Sequence, residues 1–437
     1  MDSSHFSATL VLGRIGVDDA RVAAVLDRLG VGELRVDPLF ASLARSKVTR
    51  LARVALAAAK LNGPARALLD RIDEAEDAED VWRRQAVPPM RAVLVRAAAD
   101  GGRVIKGLAV QAEYPQPDLR HLGDVDLQYP SWERALPMLH WLRAQGWVYD
   151  TTECSWLKWH PYADLYGQLS LVLPDNAQPY ARVDLHLGPY SVGHAGLMPL
   201  VGWQPGRPLD VAGTVPAPET SAAIIAAHAL CDRMLSVKDV NDLRVLARAN
   251  ALDWASIVEL CRSVQAAPAL AQIAAWVAVS YPEDTVPAVR APEVLGYGTP
   301  PRAPRARAFA ALAYRDERAR GASRAAAARR AAAARRYFAT DLTPRTSARP
   351  DTGPVPPLRR RDLCWRLLPR EMWARLPAGA RSRGVAHRER LATDLELART
   401  DAGAAVVCGS DVFVPTVWGG VNPASVALAR DLDGEYR

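Results

Sequence analysis

This sequence has no closely spaced cysteine pair, few lysines and no long apolar run. Its five cysteines are scattered, odd in number and form no Cys-x-x-Cys pair. That pattern argues against a disulfide scaffold or a zinc site, and it favours a reducing compartment. No run of about 18 apolar residues occurs, so we expect no membrane span. The first residues include Asp2 and no basic segment, unlike a signal peptide, so we expect a soluble, cytoplasmic protein.

Lysine is scarce because arginine takes its place: only five of the 55 basic residues are lysine. An arginine excess beside many alanines is typical of a GC-rich coding sequence, so the arginine count alone is weak support for nucleic-acid binding. The net charge of +7 comes from one segment of the chain. Residues 302–336 contain 11 arginines and two acids, whereas the rest of the chain is slightly acidic. Segment 302–336 is predicted to form either a solvated helix or a surface for RNA or an acidic partner.

The 437 residues are enough for two or three domains. Apolar residues recur at helical spacing from 37 to 69, and a second helix is predicted over 87–100, after two prolines and before Gly101-Gly102. A proline-rich break over 281–304 leads us to expect that residues 1–280 fold alone. The predicted regions are a helical N-terminal region (1–100), an α/β core (101–212), a helical C-lobe (213–280), a Pro/Arg-rich linker with a basic helix (281–362) and a C-terminal region without an assigned role (363–437).

Strand and helix patterns alternate only in the core, which predicts an α+β fold. Ser131 supplies an N-cap for a helix over 131–145, and Gly146 ends it. From 218 to about 279 the pattern is helical again. Strands are predicted at 103–110, 122–129, 168–173 and 181–187, with further candidates at 147–150 and 155–159.

The main chemical signal is the segment Gly123-Asp124-Val125-Asp126-Leu127. Because side chains alternate along a strand, Asp124 and Asp126 would share one face while their apolar neighbours take the other. Two adjacent carboxylates repel each other, and a divalent cation such as Mg²⁺ relieves that repulsion. The alternative is a pair of exposed acids at a strand end, since roughly five acid-x-acid pairs are expected by chance in a chain of this composition.

Residues on either side of the acid pair favour the metal site. Lys106-Gly107, at the predicted end of a strand, would bring positive charge and backbone amides close to a phosphate; the alternative is an ordinary turn. Asp184 lies on another predicted strand and would complete a cluster of three carboxylates. His186, on the same strand face as Asp184, is either functional or a satisfied, half-buried histidine.

The run from Val104 to Trp147, followed by 181–187, resembles the bacterial uncharacterised nucleotidyltransferase family of the DNA polymerase β superfamily. Members have a Lys-Gly turn, a tyrosine, an arginine, a Gly-Asp-hydrophobic-Asp-Leu motif, a helix ending near glycine and an Asp-Leu-His strand. The resemblance spans roughly residues 35–275, although the Lys-Gly-Leu turn lacks the serine of the superfamily's general motif. The matching positions are Lys106, Gly107, Tyr114, Arg120, Gly123, Asp124, Asp126, Leu127, Gly146, Asp184 and His186.

The resemblance implies a mixed sheet with flanking helices, wrapped by helical N- and C-terminal regions. It also implies transfer of a nucleoside monophosphate from an NTP to a small molecule, peptide or RNA, with release of pyrophosphate. Asp124 and Asp126 would hold one Mg²⁺, and Asp184 would hold a second near the acceptor or act as its base. Relatives occur in bacterial peptide natural-product gene clusters, which implies a biosynthetic acceptor as one option.

The nucleotide contacts implied by the resemblance come from four positions of the same run. Lys106 and Arg120 would offset phosphate charge, and Gly107 and Gly123 would line the nucleotide site. Two other functions stay open. One is a non-catalytic module of the same fold that binds nucleotide or RNA, and the other is a toxin-like nucleotidyltransferase acting on tRNA or protein.

A second segment, 238–243, resembles the Lys-Asp-x-x-Asp-Leu helix of abortive-infection toxin nucleotidyltransferases. The resemblance implies that Lys238 and Asp242 face the nucleotide. The alternative is a solvated helix salt bridge, since the two residues are i, i+4 neighbours. Competing motifs are missing: the sequence has no GxxxxGK[ST], HExxH or GxGxxG.

Overall fold

A computed structural model describes residues 3–152, 155–160, 163–175, 178–187, 206–208, 214–232, 234–263, 266–282, 323–325, 328, 343–344, 365–376, 387–400, 402–417 and 420–435. Of the basic segment 302–336, only 323–325 and 328 are among these residues. Both predictions for that segment, and the proline-rich break before it, therefore lie outside the described residues. No helix in the described part of the chain is long and apolar enough to cross a membrane.

Helices make up most of the predicted N-terminal region and C-lobe, and others lie within the core and the C-terminal region. They are α1 (Ser3–Leu12), α2 (Asp19–Gly30), α3 (Val36–Arg45), α4 (Thr49–Ala57), α5 (Gly63–Ala99), α6 (Lys106–Gln111), α7 (Trp132–Ala144), α8 (Pro218–Asp232), α9 (Val237–Ala249), α10 (Trp254–Ser263), α11 (Ala267–Ser280), α12 (Arg370–Trp373) and α13 (Pro423–Glu435). The helical pattern predicted from 37 to 69 is interrupted twice. Lys47 takes a left-handed φ of 56° after α3, and Asn62 starts α5 by accepting a hydrogen bond from the Ala65 amide.

Helix α5 begins well before the helix predicted over 87–100 and runs through Pro88 and Pro89. The prediction was wrong because an interior proline normally breaks a helix, through its missing N–H and its steric clash with the preceding turn. Packing on two sides holds this helix together. Residues of its first half, such as Leu68, belong to one hydrophobic core, whereas residues of its second half, such as Val93, belong to another.

Fourteen of the described strands form one mixed sheet, and two others pair with each other in a small separate sheet; this arrangement confirms the α+β prediction. The strands are β1 (Arg103–Ile105), β2 (Val125–Tyr129), β3 (Val148–Tyr149), β4 (Trp156–His160), β5 (Ala163–Asp175), β6 (Gln178–Leu187), β7 (Gly206–Pro208), β8 (Thr214–Pro216), β9 (Met234–Leu235), β10 (Thr343–Pro344), β11 (Trp365–Leu368), β12 (His387–Ala392), β13 (Leu395–Arg399), β14 (Ala404–Cys408), β15 (Asp411–Val417) and β16 (Gly420–Val421). The main order is β12-β13-β14-β15-β11-β4-β5-β6-β2-β1-β8-β7. Strand β2 runs parallel to β6 and antiparallel to β1.

Two of the predicted strands are shorter than expected. The strand predicted over 103–110 ends at Ile105, because Lys106 turns the chain with a φ of 54° and begins α6. The strand predicted over 122–129 begins only at Val125, so Asp124 precedes it. The helix predicted over 131–145 is confirmed as α7, with Ser131 accepting a hydrogen bond from the Arg134 amide.

Two large hydrophobic cores organise the described residues. One joins helices α1 to α4 and the first half of α5 with the four helices α8 to α11. The other lies between the sheet, α7 and the second half of α5. The predicted N-terminal region and C-lobe therefore pack together, although they are far apart in sequence.

The C-terminal region extends the same sheet. Strand β11 pairs antiparallel with β4, and Leu367 lies in the core formed by the sheet and α7. Side-chain contacts join the same parts: the Trp132 indole donates to the Thr393 carbonyl at 2.7 Å, and Arg143 pairs with Asp411 at 3.0 Å. Independent folding of residues 1–280 stays a prediction, but these contacts argue against it.

A chain ending at residue 282 tests this point. It would lose β11 to β16 and leave the paired edge of β4 and the buried Trp132 uncovered. We expect lower stability in urea denaturation followed by tryptophan fluorescence, and recovery when residues 365–437 are co-expressed as a separate chain. A truncated chain as stable as the full-length protein would instead support the boundary at 280.

Candidate functional site

The site is built on two neighbouring parallel strands. Along β2, Val125 and Leu127 face the core beneath α7, so Asp126 between them takes the opposite face. Along β6 the same alternation places Asp184 and His186 on that opposite face. The pairing register sets Asp126 directly beside Asp184.

Three buried side chains converge at this point. Asp126, Asp184 and His186 are at most 4% exposed, and each offers a metal-ligand atom within 4.8 Å of the other two. His186 Nε2 lies 2.8 Å from Asp126 Oδ1, and the Gln168 amide donates to Asp184 Oδ2 at 2.8 Å. Sequence reasoning missed Gln168, whose signal is its position between apolar residues on β5, opposite His186 in register.

The donor set fits a divalent cation. Two carboxylates and an imidazole converge, and among the described residues the buried Nδ1 of His186 has no hydrogen-bond partner. Oxygen ligands suit Mg²⁺, whereas an added imidazole suits the transition metals as well. The three-residue cluster contains two of the predicted carboxylates, but its third member is His186 and not Asp124.

Lys106 balances the buried negative charge. Its Nζ donates to Asp126 Oδ1 at 2.7 Å. Burial alone would lower the pKa of Lys106, but the charges of Asp126, Asp184 and Asp124 outweigh burial and raise it. Burial would raise the pKa of Asp126, but Lys106 and His186 together hold it well below its usual range. Both partners are therefore ionised at neutral pH.

His186 is neutral under the same conditions. Burial lowers its pKa, and the charge of Lys106 lowers it further, against the opposing effect of Asp126. A neutral ring can donate one hydrogen bond, and the 2.8 Å contact assigns that proton to Nε2, directed at Asp126. His186 thus orients the Asp126 carboxylate.

Asp124 immediately precedes β2, two residues before Asp126, and is half-buried. Its charge acts on Lys106 and His186. The segment that carries it packs against α6: a Cβ at Gly107 would lie 3.3 Å from the Arg120 guanidinium and from the Leu122 side chain. The missing side chain of Gly107 therefore leaves room for the segment with Arg120 and Leu122. Its predicted role in phosphate binding stays a prediction.

A buried ion pair fixes this segment to helix α9. Arg120 donates to both carboxylate oxygens of Asp242, at 2.8 and 2.9 Å, and the Tyr114 hydroxyl donates to the same carboxylate at 2.7 Å. Burial and the charge of Asp242 raise the pKa of Tyr114. Burial would lower the pKa of Arg120, but Asp242 outweighs it. The alternative interpretation of Lys238 and Asp242, a solvated salt bridge, is wrong for Asp242, because this residue is only 1% exposed. Lys238 Nζ lies 3.6 Å from its carboxylate.

Comparison with known proteins adds one match. A family model described as "Uncharacterised nucleotidyltransferase" matches residues 33–281, more than half of the chain. The matched range contains β2, β6 and α9, which together carry the side chains described above. None of the curated proteins matches the chain.

Asp126→Asn tests the charge balance at the site. Repulsion among clustered carboxylates would predict, from the sequence alone, that loss of one leaves stability nearly unchanged. The contacts of Asp126 with Lys106 and His186 lead us to expect the opposite for this residue. Without metal, we expect the variant to lose roughly 1–3 kcal/mol of unfolding free energy, because a charged hydrogen-bond acceptor is removed from buried donors. Asp124→Asn is the matched control and should melt like the wild type. An Asp126→Asn protein as stable as the wild type would contradict this charge balance.

Asp242→Asn tests the link to α9. Removing one partner of a buried ion pair leaves Arg120 uncompensated, which costs about 3–5 kcal/mol. Chemical denaturation should reveal this loss, whereas Glu33→Gln, in the exposed pair with Arg28, should cost no more than about 1 kcal/mol. Equal effects of the two changes would mean that the Arg120–Asp242 pair does not anchor the segment.

Proposed function

The chain belongs to the uncharacterised nucleotidyltransferase family, and we propose that it transfers a nucleoside monophosphate from an NTP to an acceptor at the Asp126–Asp184–His186 cluster. The transferase activity and the α+β fold follow from the family. The nucleotide position, the metal and the acceptor are the parts that we propose. The observation that carries the proposal is the pairing of Asp126 with Asp184 on adjacent parallel strands.

The carboxylates of Asp126 and Asp184 are the proposed ligands of Mg²⁺, because that ion prefers oxygen. His186 and Gln168 would then act as orienting groups, one for each carboxylate. Asp124, just before β2, is the proposed ligand of a second Mg²⁺. When bound, these ions supply Lewis acidity at the α-phosphoryl group and offset the charge that develops on pyrophosphate.

In the proposed reaction an acceptor hydroxyl forms a bond to the α-phosphorus, and the bond from that phosphorus to the bridging oxygen breaks. Pyrophosphate leaves with the bonding electrons. The acceptor proton passes to a base, for which Asp184 is the proposed residue at the inner end of the site. Lys106 supports the reaction by keeping one positive charge beside the acids.

The Arg120–Asp242 pair changes the predicted role of three residues, Arg120, Lys238 and Asp242. Because Arg120 is engaged with Asp242, we propose that it positions the segment carrying Gly123 and Asp124, with Lys238 as an additional charge on the same network. Arg120, Asp242 and Lys238 would then shape the nucleotide site through the backbone of that segment. Direct contact with the phosphates falls to Lys106 and the backbone at Gly107 and Gly123.

One observation favours a second candidate, a non-catalytic nucleotide- or RNA-binding module of the same fold. Lys106 donates a hydrogen bond to Asp126 and offsets its charge. A site that never loads a metal would keep this pair permanently. Transfer activity separates the two candidates.

The decisive experiment offers each α-labelled NTP, with Mg²⁺, to the full-length protein and a cell extract or defined RNA, peptide and small-molecule acceptors. We expect label to move onto one acceptor class. Asp184→Asn should lower the rate by at least about 100-fold. Loss of a residue that only orients a metal ligand costs up to about 100-fold, and Asp184 is a proposed ligand itself. Asp70→Asn, an exposed acid on α5, is the control and should react normally. Full activity of Asp184→Asn would remove this cluster from the mechanism.

A further inference from the structure

A cavity of about 330 Å³ lies between helices α1, α2 and α11. Its volume is within the range of about 300–1,000 Å³ that is usual for small-molecule sites. The cavity is separate from the acid cluster, because neither Asp126 nor Asp184 nor His186 lines it. Most of its wall is apolar and is formed by Ala8, Leu10, Val11, Val25, Trp276 and Val279.

Two residues of α11 leave apolar surface open at this cavity. Val279 is 60% exposed, and Trp276 is half-buried. The Trp276 ring packs edge-on against Phe6, with 5.1 Å between the ring centroids. Phe6 thus supports the indole ring on one side, and such a ring offers a large apolar surface at a fixed position. This wall favours a ligand with an apolar, aromatic body.

One buried polar group of the wall lacks a partner. Ser280 lines the cavity and is only 5% exposed, and its hydroxyl has no hydrogen-bond partner among the described residues. A buried hydroxyl without a partner costs free energy, so a hydrogen bond from a ligand would remove that cost. The backbone around it is held in place: Arg21 donates to the Ser280 carbonyl at 3.3 Å, and the Tyr281 amide donates to the Val277 carbonyl at 2.9 Å.

Three arginines also line the cavity, but acids of the chain already pair with them. Arg14 and Arg21 lie 3.0 and 3.4 Å from the Asp18 carboxylate, and Arg28 lies 3.2 Å from Glu33. An anionic ligand would have to compete with these acids for the same guanidinium groups. The charges at the cavity therefore favour a neutral ligand.

We propose that this cavity binds a neutral aromatic small molecule whose single polar group hydrogen-bonds with the Ser280 hydroxyl. The apolar wall would bury the body of the ligand, and Trp276 would pack against its ring. The site goes beyond the proposed transfer reaction and does not depend on it, because no residue assigned to the NTP or the metal lines the cavity.

The wall of the cavity is joined to α9. Tyr281 follows Ser280 directly, and its hydroxyl donates to the Asn241 side-chain oxygen on α9 and accepts a hydrogen bond from the Ile15 amide at 2.8 Å. A bound ligand would therefore stabilise helices that also hold α9 in place. We expect it to raise the melting temperature of the full-length protein, since it binds the folded state.

The test measures equilibrium dialysis of three probes with one ring system against the full-length protein at neutral pH. The probes are 2-naphthol, which is neutral and carries a hydroxyl group, naphthalene, which lacks a polar group, and 2-naphthoate, which is an anion. We expect 2-naphthol to bind roughly threefold to tenfold more tightly than naphthalene, because a single net hydrogen bond contributes about that much. We expect 2-naphthoate to bind more weakly than 2-naphthol.

Ser280→Ala removes only the hydroxyl. Because this hydroxyl lacks a partner in the described structure, the variant should melt at or above the wild-type temperature. Its affinity for 2-naphthol should fall to the affinity of the wild type for naphthalene. A serine with a purely structural role would instead lower the melting temperature and leave the preference for 2-naphthol unchanged.

Ala24→Phe fills the cavity from α2. Ala24 is exposed and lines the cavity, so we expect the larger side chain to abolish binding of both 2-naphthol and naphthalene without disturbing the core. Ala23→Phe is the matched control, because Ala23 is also exposed on α2 but does not line the cavity. This control should bind all three probes like the wild type.

The possible outcomes are distinct. Preferred binding of 2-naphthol that is reduced in Ser280→Ala and lost in Ala24→Phe would support the site. Wild-type protein that does not bind 2-naphthol, or an Ala24→Phe protein that binds it as tightly as the wild type, would overturn it. Tighter binding of 2-naphthoate would overturn the neutral ligand class and assign the cavity to an anion. No NTP, metal or transfer is involved, so failure of the proposed reaction would leave this result standing.

Discussion

Strands β2 and β6 run parallel and in register, and this pairing sets the Asp126 carboxylate beside that of Asp184. Alternation then fixes the rest of the arrangement. The residues on either side of each acid are apolar and pack beneath α7, so neither strand can slip by one residue without moving its acids into the core. Hydrophobic burial on one face of the sheet therefore enforces the polar geometry on the other.

Two buried carboxylates this close are costly unless positive charge or hydrogen bonds accompany them. The structure supplies Lys106 and His186 to Asp126, and Gln168 to Asp184. The lowered pKa of Asp126 and the raised pKa of Lys106 have the same cause, the attraction between their opposite charges. A divalent cation bound at the cluster would share Asp126 with Lys106. Lys106 therefore keeps one positive charge against the buried acids.

Two further features join parts of the molecule that are distant in sequence. Helix α5 continues through Pro88 and Pro89 because each of its halves is buried in a different core. The Arg120–Asp242 pair connects the segment before β2 to α9, so the position of the segment that carries Asp124 depends on the helical lobe. Both cores therefore support one site. The sheet positions Asp126 and Asp184, and the helices position the segment before β2.

By itself, the sequence determined the local features of this protein: the α+β class, helix α7 with its Ser131 cap, the family resemblance, and the polar face shared by Asp184 and His186. These follow from alternation and capping, which act between near neighbours. Tertiary structure decided the rest. Lys106 turned out to be the partner of Asp126, Asp242 the buried partner of Arg120, and Lys47 a neighbour of Gly123. Such contacts join residues 20 to 122 positions apart in the hydrogen-bonded cases, and no periodic pattern along a chain specifies them. They arise only when strands pair and separate lobes pack, because burial then forces each charge to find a partner in space.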